Sequence, residues 1–99
     1  MGRYVLAAAA EADIRDIIAY IRLRNPGAAK RVKAQLREAM RKLADFPGLG
    51  HVRDDVAGES LRFWSVYDYL IIYHHGSKPL GIARVVHGAR DIERLFGKS

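Results

Sequence analysis

The dipeptide Asn25-Pro26 constrains this chain more than any other feature, because it separates two stretches that both read as helix. Before it, Ile14, Ile17, Ile18 and Ile21 recur at i, i+3, i+4 and i+7, a single apolar stripe with Glu11, Asp13 and Arg15 off it. Proline disfavours helix at the residue preceding it, so the first helix, from about Ala8, must stop near Arg24. Beyond the break, Asn25 can cap a second helix whose first position is Pro26, where a missing N–H costs nothing. Ala29, Val32, Leu36, Met40 and Leu43 give that helix an inward face as far as about Phe46. Two helices joined by so short a link fold back as an antiparallel hairpin.

The flanks of the hairpin read as strands. Arg3-Tyr4-Val5-Leu6 is a short candidate ahead of the first helix. Pro47-Gly48-Leu49-Gly50 ends the second and opens a loop to about Ser60. Leu61–Val66, Tyr69–His75 and Leu80–His87 follow as strands, with tight turns at Tyr67-Asp68 and Gly76-Ser77-Lys78-Pro79, the pattern of an antiparallel meander. Asp91–Phe96 suits a short terminal helix packing through Ile92, Leu95 and Phe96. The expected fold is α+β in the order β-α-α-β-β-β, one domain over residues 1–99, with a single layer of helices on a mainly antiparallel sheet. Both sides of that sheet are apolar. Phe63, Ile71 and Tyr73 share one numerical parity, and Trp64, Leu70 and Ile72 the other. The hairpin can cover one face, which leaves the second to the terminal segment or to a partner.

Charge is placed unevenly. Of the net +6, the whole excess is matched by residues 24–42, which hold seven basic residues against one acidic. That suggests either a basic face able to attract an acidic protein or nucleic acid, or simply a solvated helix face. The absence of cysteine excludes disulfides, thiolate nucleophiles and thiolate zinc sites. His74 and His75 are adjacent in a strand and face opposite sides, and no histidine–carboxylate spacing suits a metal, so neither metal nor cofactor is expected. Gly48, Gly50 and Gly58 lack the lysine-serine/threonine step of a phosphate loop, and Ser60, Ser65 and Ser77 lack a glycine elbow. Arg15 and Asp16 interrupt the only alanine-rich stretch near the start, and no aliphatic run approaches a membrane span. The expected setting is cytoplasmic, without a membrane partner.

Several segments together resemble the RelE/ParE family of bacterial toxins, and its ParE branch more closely. They are Ala12-Asp13-Ile14 leading to Ile17-Ile18-Ala19-Tyr20, Leu43-Ala44 before Phe46-Pro47-Gly48-Leu49-Gly50, then Arg62, Tyr69-Leu70-Ile71-Ile72-Tyr73 and Arg84-Val85-Val86-His87-Gly88-Ala89-Arg90-Asp91. The resemblance implies a toxin held inactive by an antitoxin encoded beside it, with a ParD-like partner in a hetero-oligomer. ParE-like members are known for poisoning DNA gyrase and halting replication. RelE-like members cut messenger RNA on the ribosome.

Fold does not separate these activities, so the site must. Metal-free ribonuclease chemistry requires a base, an acid and cations for the phosphorane. Arg62, Arg84, His87 and Arg90 are the only grouping on neighbouring strand ends that suits it. Against it, Arg84 and His87 differ in parity, and residues 51–59, where RelE-like enzymes carry basic groups, are net acidic here. The structural alternative pairs Arg84 with a carboxylate such as Asp91 and packs His87 under the terminal turn. For antitoxin binding, the expected residues are the aromatics Trp64, Tyr69 and Tyr73 together with Arg31, Lys33, Arg37 and Arg41. The favoured reading is a ParE-like protein acting by binding, with the ribosome-dependent endoribonuclease as the alternative.

Overall fold

The computed structural model describes residues 2–53 and 60–96, less the side chains of Ala89, Arg90, Glu93 and Phe96. Strand β1 is Tyr4–Leu6, followed by helices α1, Ala8–Arg24, and α2, Pro26–Asp45. Asn25 alone separates them; its side chain accepts from the Ala28 N–H at 3.0 Å, and Pro26 opens α2. A single 3-10 turn, Pro47–Leu49, leads away from α2. Strands β2, Leu61–Val66, β3, Tyr69–His74, and β4, Leu80–His87, complete the sheet, and helix α3, Gly88–Phe96, ends the described chain. The α+β order expected from the sequence is therefore the order found, with α3 starting three residues earlier than predicted.

The sheet runs β1-β4-β3-β2, parallel between β1 and β4 and antiparallel elsewhere. One face meets the helical hairpin through Leu36, Met40, Leu43, Ile71, Tyr73, Leu80, Ile82 and Val85. The other face, Phe63, Ile72 and Val86, is closed by Ile92 and Leu95 of α3. Helices thus lie on both sides of the sheet, not in the single layer predicted. The terminal segment, rather than a partner, covers the second face.

Parity across strands also needs correction. The two-residue turn Tyr67-Asp68 pairs Val66 with Tyr69, and hence Phe63 with Ile72 and Trp64 with Ile71. Phe63 therefore joins Ile72 under α3, and Trp64 joins Ile71 and Tyr73 on the hairpin side. A bulge at Ala83 has a similar effect in β4. Ile72 pairs with Arg84 but Tyr73 with Ile82, so Ile82 and Val85, three residues apart, both bury against the hairpin.

Tyr73 anchors the turn after α2 from inside the core. It is 0% exposed; its hydroxyl donates to the Pro47 carbonyl at 2.5 Å and accepts from the Gly50 N–H at 2.9 Å. A methyl group at position 50 would land on that hydroxyl, which is why the backbone there must be glycine. Arg62 adds a bond from Nη1 to the Gly50 carbonyl at 3.0 Å.

Candidate functional site

One concave surface, a cleft of about 780 Å³, lies between α1, the C-terminal half of β4 and α3. It exists because β1 is short. β1 pairs with β4 only as far as Ile82, so the outer edge of β4 is left without a strand from Arg84 onward. Asp13 of α1 takes the place of the missing strand. Its Oδ2 accepts from the Val85 N–H at 3.0 Å and from Arg84 Nε at 2.7 Å, while Oδ1 accepts from Arg84 Nη2 at 2.9 Å. This bidentate arrangement raises the Arg84 guanidinium above its ordinary range, chiefly through the hydrogen bond to Asp13, with burial pulling the other way.

The remaining walls are of mixed character. Asp16, Ile17 and Tyr20 come from α1, Asp68 and Tyr69 from the β2–β3 turn, and Asp91, Arg94 and Leu95 from α3. The His87 ring stands edge-on to Tyr69 with centroids 6.1 Å apart, and its Nδ1 is buried with no hydrogen-bond partner among the described residues. The His87 N–H donates to Asp91 Oδ2 at 3.0 Å, and Arg94 lies 3.6 Å from the other oxygen of that carboxylate. Among the described side chains, four aspartates against two arginines give the cleft an acidic balance.

The second surface is a groove of about 450 Å³ between α2 and the outer strand β2, lined by Gln35, Glu38, Ala39 and Lys42 on one side and Trp64, Ser65, Val66 and Tyr67 on the other. The Lys42 ammonium sits 5.7 Å from the centre of the Trp64 ring, and the His51 ring stacks on the indole at 6.3 Å.

Comparison with known proteins adds a decisive match. The family described as the ParE toxin of the type II toxin-antitoxin system, parDE, matches residues 4–92. The chain belongs to the ParE toxin family. Among solved structures it is similar to the chromosomal ParDE toxin–antitoxin system from P. aeruginosa, with a TM-score of 0.72 at 17% identity, covering 88% of this chain and 96% of that one. At that identity the likeness speaks for the fold. No curated protein matches the chain.

In this ParE-family chain the residues expected at a ribonuclease site divide. Arg84 and His87 do reach one cleft, although they differ in parity, because the cleft lies along the free edge of β4 rather than on either face. Arg62 does not join them; it is tied to Gly50 at the far side of the sheet. Arg90 falls in α3, with its side chain outside the described residues. Arg84 pairs with Asp13, not with Asp91 as the sequence suggested, and Asp91 instead caps the His87 N–H.

The expected antitoxin-binding residues divide as well. Trp64 lines the α2–β2 groove, and Tyr69 lines the acidic cleft. Tyr73 is a core residue and offers no surface to a partner. Arg31, Lys33, Arg37 and Arg41 are all exposed on α2, but Lys33, Arg37 and Arg41 follow one another at four-residue intervals along a row that does not line the groove. Sequence reasoning set Asp13 off the apolar stripe of α1 and gave it no role at the site. Its signal was available: Asp13 follows Ala10 by three residues and precedes Ile17 by four, the spacing of a sheet-facing position.

Proposed function

We propose that this chain is the toxin of a type II pair, neutralised by a ParD-like antitoxin encoded beside it, and that it acts on DNA gyrase by binding rather than by chemistry. The observation that carries the mode of action is the Asp13–Arg84 pair in a cleft with an acidic balance. A phosphorane needs a free cation. Of the arginines expected at such a site, Arg84 is engaged by two hydrogen bonds to one carboxylate and Arg62 is held elsewhere by Gly50, while the side chain of Arg90 lies outside the described residues; the aspartates around His87 would repel an RNA backbone. Gyrase enters through the family; what the geometry supplies is the argument for binding. No helix among the described residues is long and apolar enough to cross a membrane.

The antitoxin surface in this reading is the Trp64 groove together with the basic helix beside it. A large, half-exposed aromatic supplies binding energy, while exposed cations speed encounter with an acidic chain.

Purified protein tested for inhibition of supercoiling and for trapped DNA cleavage distinguishes the two activities. Gyrase inhibition that survives His87→Ala is the expected result. Messenger RNA cuts that require ribosomes and vanish in His87→Ala would overturn it in favour of the endoribonuclease. Co-expression with the product of the adjacent open reading frame, purified through a tag on that product, tests the pairing itself.

A further inference from the structure

The outer surface of the helical hairpin carries a concentration of charge that neither the cleft nor the groove uses. Successive residues of an α-helix are turned by about 100°, so Lys30, Lys33, Arg37 and Arg41 of α2 fall within an arc of about 80°. All four are exposed. Their row lies on the flank away from the groove, whose α2 wall is Gln35, Glu38, Ala39 and Lys42, and so on the flank toward α1. On α1 the cleft takes Asp13, Asp16, Ile17 and Tyr20, and among the described residues no part of α2 lines that cleft. The opposite flank of α1, toward α2, presents Arg15 and Arg22, both exposed. Counting back from the Asn25 link puts Arg22 level with the start of the α2 row and Arg15 with its middle. Six cations thus form one crest along the seam between the helices.

The crest differs from an ordinary solvated face. Exposed helix faces are commonly supported by a carboxylate three or four residues from each cation. Arg22, Lys30, Lys33 and Arg37 have none at that spacing. Lys33–Arg37 and Arg37–Arg41 are instead like-charged neighbours, which is mildly destabilising. Carboxylates come within reach only at the end remote from Asn25: Glu11 one turn before Arg15, Glu38 on the groove side, and Asp45, which accepts from the Gly2 N–H. Among the described residues none of the six cations makes an ion pair.

Such a crest suits a rigid polyanion. Four-residue steps along a helix advance about 6 Å, comparable to the step between successive phosphates of one nucleic-acid strand. Exposed aromatics, which would stack unpaired bases or anchor a protein, lie elsewhere: Tyr20 in the cleft, Tyr67 in the groove and Phe46 beyond the end of α2.

We propose that the crest on the hairpin binds the phosphate backbone of duplex DNA, without reading its sequence. Lys33, Arg37 and Arg41 follow one strand, and Arg15 and Arg22 hold it from the α1 side. The cleft and the groove stay uncovered. This goes beyond the gyrase reading and does not depend on it. Cations that hold DNA can also speed the approach of an acidic antitoxin, because steering needs no contact.

The test is fluorescence anisotropy of a labelled, mixed-sequence DNA duplex titrated with wild type and two double variants of equal net charge. Lys33→Glu/Arg37→Glu alters the crest, while Arg3→Glu/Lys78→Glu makes the same change at exposed positions off the hairpin. With about four phosphates engaged, log affinity should fall against log salt with a slope of about −4 in wild type. At about 50 mM salt the crest variant should bind at least about tenfold more weakly, with its slope reduced to about −2. The control variant should lose no more than about threefold and keep the wild-type slope. Equal losses in the two variants would mean that net charge alone draws the chain to DNA, and the proposal fails. It fails equally if wild type does not bind the duplex, or if it binds single-stranded RNA of the same length or an acidic peptide more tightly. Supercoiling is read separately: a chain that binds DNA through the crest but leaves gyrase unaffected sinks the gyrase reading and not this one.

Discussion

Asp13 is the residue whose removal should cost the fold most for the fewest atoms. In Asp13→Ala the Val85 N–H loses its only acceptor among the described residues, at a strand edge where Val85 is 1% exposed. An orphaned backbone donor of this kind costs about 1–3 kcal/mol. The Arg84 arm is worth less, because its side chain is 36% exposed against 15% for Asp13, and solvent screens the pair. About 1 kcal/mol is a fair share for it. The sum, about 2–4 kcal/mol, is a large part of the 5–15 kcal/mol that holds a typical domain together. For a chain of this size each kcal/mol moves Tm by about 4–8 °C, so Asp13→Ala should melt about 10–30 °C below the parent.

Thermal melts and urea unfolding, both followed by circular dichroism, measure the effect. Asp13→Asn keeps one oxygen for Val85 and should lose roughly half as much. Arg84→Met keeps the Val85 bond and should lose about 1 kcal/mol, with coupling to Asp13→Ala in the double mutant. An Asp13→Ala protein melting within about 2 °C of the parent would refute the view that this carboxylate substitutes for a strand at the free edge of β4.

Two further outcomes follow from the same geometry. Burial pushes the Tyr73 phenol above its ordinary range, with the Gly50 bond and the Arg62 charge pulling it partly back. A raised folded-state value means that this contribution is fully present below the unfolded phenol's value of about 10 and is lost as pH rises through the higher folded value. In an absorbance titration, one of the five tyrosines should therefore ionise only at alkaline unfolding, and Tyr73→Phe should remove that late step. Reversing Lys33 and Arg37 to Glu should leave Tm within about 2 °C, since exposed charges contribute little to folding. It should also slow association with the antitoxin and flatten its salt dependence, with dissociation unchanged. Binding kinetics at two salt concentrations check both halves, and an unaltered association rate would reduce that row, as far as the antitoxin is concerned, to a solvated face.

Much of the fold was legible because its boundaries are set by local chemistry. Asn25 caps α2 and Pro26 opens it, as backbone sterics and the missing N–H require. The termini of β2 and β4 fall at the predicted residues, because turn-forming residues bound apolar runs at each. The register of β2 against β3 was legible too, although parity alone missed it. A two-residue turn at Tyr67-Asp68 forces an odd offset between the strands, and that offset puts Phe63 opposite Ile72. The bulge at Ala83 had no such signal: nothing local to Leu80–His87 distinguishes the extra residue. It is a consequence of burying Ile82 and Val85 on one face, which is known only once the hairpin is seated.

The candidate sites were less legible than the fold, and for one physical reason. Periodicity in a sequence reports faces, whereas both surfaces of interest here are made at edges. Asp13 reads as a polar residue off the apolar stripe of α1, yet it is half-buried because β1 ends at Leu6 and leaves β4 in need of an acceptor. Arg84 and His87 read as facing apart, yet they meet where the sheet stops. Which strand ends first is decided by the length of β1 and by the pull of Tyr73 on Pro47 and Gly50, over sequence separations of 26 and 23 residues. Edges are therefore tertiary facts. On the binding mode proposed above, they are also where recognition begins.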